Sequence, residues 1–339
     1  MAWIPRLWLV LLALAGPVAA DYSAHPAAGA LIDELVNKHR FERAAVVELL
    51  TKAERQQGII DAISKPAEKT LTWHRYRQIF LGQDRIREGV QFWRANEAAL
   101  TRAYALFKVP PEYVVAIIGV ETRYGQYRGA WRVLDALTTL TFDYPPRAAF
   151  FRSELIQFML LAREEKKAAE ELMGSYAGAM GFGQFISSSY RHYAIDFNGD
   201  GGRDIWNSAE DAIGSVANYF GKHGWQGNMP LIADVEQPSV GLLALVSTDP
   251  KPASTLADLR KVGYSAFAEL ADNTPVAVLA FDHEAEAKPA ITFRDFYVIT
   301  RYNHSPLYAR AVHELAEAIR EAHKVPATET PIRRGSTEG

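Results

Sequence analysis

The chain has no cysteine among its 339 residues. That absence excludes disulfides, thiolate metal sites, a cysteine nucleophile and a lipid-bearing cysteine near the N-terminus. A basic surplus is missing too: the formal net charge is −3, which argues against a nucleic-acid binder. There is no internal repeat. What is present is ordinary for a soluble globular protein, with 48% apolar and 23% charged residues. The length suffices for one large domain or two to three smaller ones with a sizeable core.

The first twenty residues differ from the rest. They carry one basic residue (Arg6), an apolar run from Leu7 to Ala15, and Val18-Ala19-Ala20 before Asp21. That pattern predicts a secretory signal peptide cleaved after Ala20. A membrane anchor is the weaker reading, because the run is short for a span and Gly16-Pro17 breaks it. Losing Arg6 with the segment makes the remaining chain more acidic by one charge. An exported protein without disulfides fits the bacterial periplasm, in soluble form and without a lipid anchor.

The stretch from Pro111 to Gly125, PEYVVAIIGVETRYG, anchors the reading. Pro110-Pro111 sets a boundary. Val114, Val115, Ile117, Ile118 and Val120 then make a segment with no polar face, which predicts a buried helix or a buried strand. Glu121 stands at its end, followed by Thr122, Arg123, Tyr124 and Gly125. Burial disfavours a charged carboxyl, which suits a general acid at neutral pH. An ordinary ion pair between Glu121 and Arg123, or another cation, is the competing reading.

Helical spacing recurs from Leu31 to about Arg55, and a loop follows around Ser64-Lys65-Pro66. Trp73–Phe80 is aromatic and basic, fit to line a groove or to pack; His39 and His74 are isolated. Asp84–Lys108 reads as one long helix leading straight into the central segment. Trp131–Leu140 and Ala148–Ala162 supply two further helical patterns.

Gly174–Phe185, GSYAGAMGFGQF, holds four glycines in twelve residues and permits close backbone approach. It lacks the lysine ending of a phosphate loop. Its aromatic and amide content suits a neutral, hydroxyl-rich ligand, the alternative being a structural turn. Asp196–Asn207, DFNGDGGRDIWN, places Asp196, Asn198, Asp200 and Asp204 at loop positions 1, 3, 5 and 9 with Gly201 at 6. This is a calcium-loop pattern of hard oxygen donors around a sharp turn. Position 12 is Asn207, so the bidentate glutamate is missing, and Asp211 or Glu210 from the next helix would replace it. A plain Asn/Gly turn is the alternative. Ser208 is the expected N-cap of that helix, which should run through Phe220.

Short β-rich runs follow at Val240–Val246, Val276–Phe281, Ile291–Phe293 and Tyr297–Thr300, predicting a small antiparallel unit. Ser305-Pro306 opens a final amphipathic helix to about His323, and the last fifteen or so residues are expected to be disordered.

Five segments now stand in order: GVETRYG (119–125), LTFDYPPRAAFF (140–151), GSYAGAMGFGQFISSSY (174–190), DFNGDG (196–201) and DAIGSVANYFGKHGW (211–225). With RYN at 301–303, the chain resembles the membrane-bound lytic murein transglycosylase B family over roughly residues 30–325. The resemblance implies a mainly α (α+β) fold: a lysozyme-like helical core, an all-helical flanking domain and a small inserted antiparallel β domain. The corresponding division is 1–20 signal peptide, 21–95 helical domain, 96–227 core with the calcium loop, 228–298 β domain, 299–325 return to the core, and 326–339 tail. Carried over by motif, Glu121 is the single catalytic acid. Ser175 and Gln184 hold the sugar N-acetyl region and the catalytic neighbourhood, and Tyr144, Tyr219, Tyr302 and Asn303 line the glycan groove. Structural Ca²⁺ is assigned to Asp196, Asn198, Asp200, the Gly202 carbonyl and Asp211. One extra residue before Asp211 keeps Glu210 in competition, and the family's lipid-acceptor cysteine has no counterpart.

The implied activity is cleavage of peptidoglycan glycan strands with formation of 1,6-anhydro ends, Glu121 serving as acid and then base. No organic cofactor is expected, and a monomer is. Cell-wall synthases or division proteins are conceivable partners. A hydrolytic muramidase, which needs a second carboxylate, and a non-catalytic peptidoglycan-binding scaffold remain the alternatives. Asp143 is the nearest candidate for that second acid, although its Tyr-Pro-Pro context suggests a turn. A calcium sensor is poorer, with a single candidate loop.

Overall fold

The structure is a computed structural model that describes residues 21–64, 71–284 and 286–325. The expected signal peptide, the expected disordered tail and most of the Ser64-Lys65-Pro66 loop lie outside the described residues.

The helical periodicity from Leu31 resolves into α1 (Ala28–Asn37) and α2 (Arg43–Lys52), followed by α3 (Gln57–Ile63) and α4 (Trp73–Phe80). The long helix expected over Asp84–Lys108 is two helices, α5 (Gln83–Ala95) and α6 (Glu97–Phe107). The break is at Asn96, whose backbone and side-chain nitrogens both donate to the Phe92 carbonyl, at 3.1 and 2.8 Å. An amide side chain that competes for a helix carbonyl ends the turn there. The passage into α7 (Pro111–Thr122) is not straight either. Lys108 adopts a left-handed conformation (φ 59°) and the axes of α6 and α7 differ by 115°.

α7 is a helix, and Val114 to Ile118 are fully buried. It is wrapped by α5, α6, α11 (Ala209–Lys222) and α15 (Pro306–His323), so every face of the apolar segment finds a partner. Beside this bundle, β1 (Trp131–Arg132) leads into α8 (Val133–Phe142). That helix packs on α9 (Ala148–Glu164), which packs on α10 (Ser187–Tyr193). β1 pairs antiparallel with β2 (Met173–Gly174).

After α11 the chain forms a four-stranded antiparallel sheet from β3 (Ile232–Asp234), β4 (Ser254–Thr255), β5 (Pro275–Asp282) and β6 (Ala287–Thr292), in the order β3-β6-β5-β4. Short helices α12 (Val240–Leu243) and α13 (Leu256–Lys261) interrupt it. Strand alternation divides β5 between two cores. Val276 and Val278 join a satellite cluster with Leu242, Leu256, Leu259 and Phe293, whereas Leu279 and Phe281 face the main core.

Two of the expected strands are helices. Val240–Val246 contains α12, started by Ser239 accepting from Leu242 N; Val240 is 86% exposed, so its β-branched side chain has no sheet face to cover. Tyr297–Thr300 belongs to α14 (Arg294–Tyr302), whose buried stripe includes Asp295, Phe296, Val298 and Ile299. α14 runs across the 298–299 division. Ser208 and Ser305 cap α11 and α15 as their positions predict, accepting from the backbone nitrogens of Asp211 and Tyr308.

The fold class is as the motifs imply: mostly helical with small antiparallel sheets and a lysozyme-like core. Among the described residues no single helix is long and apolar enough to cross a membrane.

Candidate active site

Glu121 occupies the last turn of α7, half-buried. The helix stops because Arg123 and Tyr124 both take left-handed conformations (φ 49° and 60°), which costs about 1–2 kcal/mol for each non-glycine residue. Neighbours compensate. Thr122 Oγ1 donates to the Phe182 carbonyl at 2.8 Å and accepts from Gly125 N at 2.9 Å. Tyr124 folds back over Gly119, where a Cβ would lie 2.7 Å from its ring.

The competing ion pair is not formed with Arg123, which gives both of its paired nitrogens to Glu88, at 2.6 and 2.7 Å. Glu121 Oε1 instead accepts from the Tyr308 hydroxyl at 2.5 Å. Tyr308, in the first turn of α15, is a site residue the motifs do not mark. Its only sequence signal is its place one turn after the Ser305 cap. Beside it, Tyr302 donates to the Gly183 carbonyl at 2.5 Å. Burial, and then the charge of Glu121, push both phenols well above the usual tyrosine value, so both stay protonated donors at neutral pH.

The glycine-rich segment is a tight double turn. Ser175 N donates to the Ala179 carbonyl at 2.8 Å, and Met180 and Phe185 exchange backbone bonds at 2.9 and 3.0 Å. Ser175 Oγ accepts from Ala177 N and Ala179 N at 3.3 and 3.1 Å. Gly129 (φ 97°) lies so close to the segment that a Cβ would sit 2.0 Å from the Gly174 carbonyl. Gln184, itself left-handed (φ 50°), donates to the Gly181 and Arg128 carbonyls at 3.0 and 3.3 Å.

Gln184, Tyr219 and Tyr302 converge on one cavity of about 250 Å³, together with Phe185, Arg147 and Arg301. The Tyr219 ring stands edge-on to Tyr302 at 4.8 Å, and its hydroxyl donates to the Arg301 carbonyl at 2.5 Å. The motifs do not mark the two arginines. Arg147 stacks on Phe150 at 4.3 Å, and Arg301 donates to the Tyr297 hydroxyl at 3.0 Å. Ser175, Tyr144 and Asn303 do not line this cavity. Tyr144 packs on the main core before the Pro145–Arg147 turn, and Asn303 ends α14, its Oδ1 accepting from Ser305 N at 3.2 Å. Asp143 accepts from the Tyr22 hydroxyl at 2.5 Å and meets Arg55 at 3.5 Å, a structural arrangement.

Asp196, Asp200 and Asp211 place carboxylate oxygens within 4.8 Å of one another. Three like charges at that spacing, all hard oxygen donors, suit a Ca²⁺ ion. Asp196 gathers the amides of Gly199, Asp200 and Gly201, so the loop curls around it, with Gly199 and Gly201 at φ 82° and 95°. Fully buried Asp211 accepts from Phe197 N, Asn198 N and Asp204 N at 2.8 to 3.0 Å. Asn198 donates to Asp200 at 2.9 Å, and Gly202 N to Asp200 at 3.0 Å. Glu210 leans away, to Arg102 at 3.3 Å.

Residues 23–317 match the model of the transglycosylase SLT domain. The chain belongs to the transglycosylase SLT family. It is thereby a lytic transglycosylase, a lyase class acting on polysaccharide. Its relatives in this family include membrane-bound lytic murein transglycosylase B of Escherichia coli, 40% identical over 311 residues, covering 89% of this chain and 85% of the relative. Among solved structures, catenated lytic transglycosylase SltB1 from Pseudomonas aeruginosa superposes with a TM-score of 0.85 at 43% identity, over 89% of this chain and all of that one. E. coli lytic transglycosylase Slt35, solved in complex with calcium, gives 0.81 at 39% identity, over 91% and 96%. SLT-family membership is what the ordered motifs from GVETRYG to DAIGSVANYFGKHGW imply.

Proposed function

We propose that the chain cleaves the β-1,4 bond between N-acetylmuramic acid and N-acetylglucosamine in peptidoglycan, leaving a 1,6-anhydromuramic end. The observation that carries this reading is the Tyr308–Glu121 contact of 2.5 Å beside Tyr302 and the Gln184 turn. Glu121 is the carboxylate whose charge acts on both phenols, while Asp143 is engaged by Tyr22 and Arg55. With a single acid at the scissile bond, the substrate supplies its own nucleophile. Protonated Glu121 gives its proton to the glycosidic oxygen, and the C1–O4 bond breaks. The 2-acetamido oxygen stabilises the cationic C1. Ionised Glu121, held by Tyr308, then takes the proton of the C6 hydroxyl as O6 attacks C1. No water is consumed.

Gln184, Tyr219 and Tyr302 present amide, ring and phenol surfaces to the sugars, and Ser175 sits on the adjoining turn. Arg147 and Arg301 add positive charge to the same cavity, which suits the carboxylates of a muramic lactyl-peptide. Ca²⁺, held by Asp196, Asn198, Asp200, the Gly202 carbonyl and Asp211, would stiffen the loop and carry no step of the reaction. The enzyme works on the cell wall in the periplasm.

The test is mass spectrometry of soluble products from peptidoglycan sacculi, with the wild type beside Glu121→Gln. Anhydromuramic ends, lowered roughly 10²–10⁴-fold in the variant, are expected. Reducing muramic ends would mean hydrolysis, and full activity in the variant would remove Glu121 from the chemistry. Binding without products would mean a scaffold.

A further inference from the structure

Glu121 is separated by Thr122 alone from two consecutive left-handed residues, Arg123 and Tyr124, whose side chains are both held by one neighbouring helix. Arg123 is gripped by Glu88 of α5 through Nε and Nη2, at 2.6 and 2.7 Å. Gln126 Nε2 reaches the same carboxylate at 3.4 Å. Three residues earlier on α5, the Arg85 carbonyl accepts from the Tyr124 hydroxyl at 2.8 Å, and the Arg85 guanidinium donates to the Gly119 carbonyl at 2.5 Å. Gly89 lies directly under the Tyr124 hydroxyl, where a Cβ would come within 2.6 Å. Thus α5 touches the residue two before Glu121 and the two positions two and three after it. On the far side, Tyr308 fixes the carboxylate itself.

The geometry points to Glu88 as a positioning residue for the reaction: its forked pair with Arg123 sets where the end of α7 carries the Glu121 carboxyl. Backbone bonds from Arg123 N to the Gly119 carbonyl (3.1 Å) and from Tyr124 N to the Ile118 carbonyl (3.2 Å) close the end of α7, and the Glu88 pair adds the side-chain restraint on a left-handed, non-glycine residue. A bidentate pair fixes two atoms of a planar group and so transmits orientation as well as attraction. Nothing in this pair touches the sugar; its effect passes through the peptide linking Arg123 to Thr122 and Glu121. The inference rests on the proposed role of Glu121.

The test compares Glu88→Gln, Arg123→Lys and Glu121→Gln with the wild type in turnover and KM on soluble glycan strands, and in melting temperature. Glu34→Gln serves as the control. It weakens an ion pair of similar exposure between Glu34 and Arg152 on α1 and α9, at 2.7 Å. Displacement of a reacting group by about 1 Å lowers rates on the order of 10²-fold. Glu88→Gln and Arg123→Lys are therefore expected to lower kcat roughly 10- to 100-fold at unchanged KM. The control should lose stability comparably and keep its kcat. If Glu88→Gln melts like the control and retains kcat within about twofold, the pair is only structural and the inference is overturned. Full activity in Glu121→Gln would instead overturn the proposed mechanism, whatever the Glu88 variants do.

Discussion

Two glycine-bearing loops flank α10, and they are held in opposite ways. Gly174–Phe185 is closed by backbone bonds and the neutral side chains of Ser175 and Gln184. Asp196–Asn207 is closed by carboxylates, with Asp196, Asp200 and Asp211 gathering amide donors and leaving their charges together. The first loop is self-sufficient and can present neutral groups to a sugar. The second leaves three carboxylates together, a charge that a bound cation would balance. They are also joined, since Phe182 N donates to the Ile205 carbonyl at 3.0 Å and the Phe182 carbonyl accepts from Thr122, next to Glu121. The charged loop is thus linked through the glycine-rich one to the end of α7 by two hydrogen bonds.

The sharpest way to break the neutral loop is Gly129→Ala. A Cβ there meets backbone, not a side chain that can swing away, and the residue is left-handed. A destabilisation of about 3 kcal/mol or more, with loss of turnover, is expected by thermal denaturation. Tolerance of the alanine would show that the Gly129–Gly174 approach is not required.

For the charged loop the corresponding change is Asp211→Asn, which can keep one oxygen for Phe197 N and Asn198 N but then turns its NH2 toward Asp204 N. It should cost about 1–3 kcal/mol and abolish any shift of melting temperature by calcium. In the wild type, saturating calcium at about a hundredfold its Kd should add ~2.7 kcal/mol, and chelation should remove it. A melting temperature indifferent to chelator would leave the three carboxylates without their cation.

A reference point outside both loops separates acid effects. Burial, followed by the charges of Arg310 and Arg320, pushes His313 down to about 4, and its Nδ1 shares a 2.9 Å hydrogen bond with Tyr113. Its unfolded value is higher, so between the two the unfolded chain binds more protons. Stability is full above the unfolded value and falls as the pH drops toward the folded one. About 2 kcal/mol should be lost between pH 6.5 and pH 5. His313→Gln should flatten that slope in melting curves while the calcium effect persists; an unaltered slope would assign it to the carboxylates.

The smallest effect is expected for Tyr308→Phe, which removes one hydrogen bond to Glu121 and little packing. A loss in kcat of about tenfold follows from ~1.5 kcal/mol for a charge-assisted bond. An unchanged kcat would mean that the Tyr308 bond does not position the acid.

Much of this was legible in the residues themselves. The all-apolar Val114–Val120 run makes α7 central, because such a segment can be stable only when surrounded. Caps at Ser208 and Ser305, and glycine at positions that need positive φ, are local chemistry and are written in order along the chain. Val240–Val246 and Tyr297–Thr300 misled because short apolar runs carry too few residues to separate a period of 2 from one of 3.6. Asn96 escaped notice because a single amide ends a helix only where its geometry lets it take a carbonyl.

Sequence alone therefore determined the family, the central buried segment, the acid at its end and the acidic character of the second loop. All of these rest on residue type and short-range spacing. That the segment is a helix was read from the structure. Only the tertiary structure decided the partners: Tyr308 rather than Arg123 for Glu121, Glu88 for Arg123, Asp211 rather than Glu210 beside Asp196, and the arginines of the cavity. Tyr308 is 187 residues from Glu121 in the chain and 2.5 Å from it in space. Contacts of that kind are set by how α7, α5 and α15 pack, and packing depends on the whole core at once.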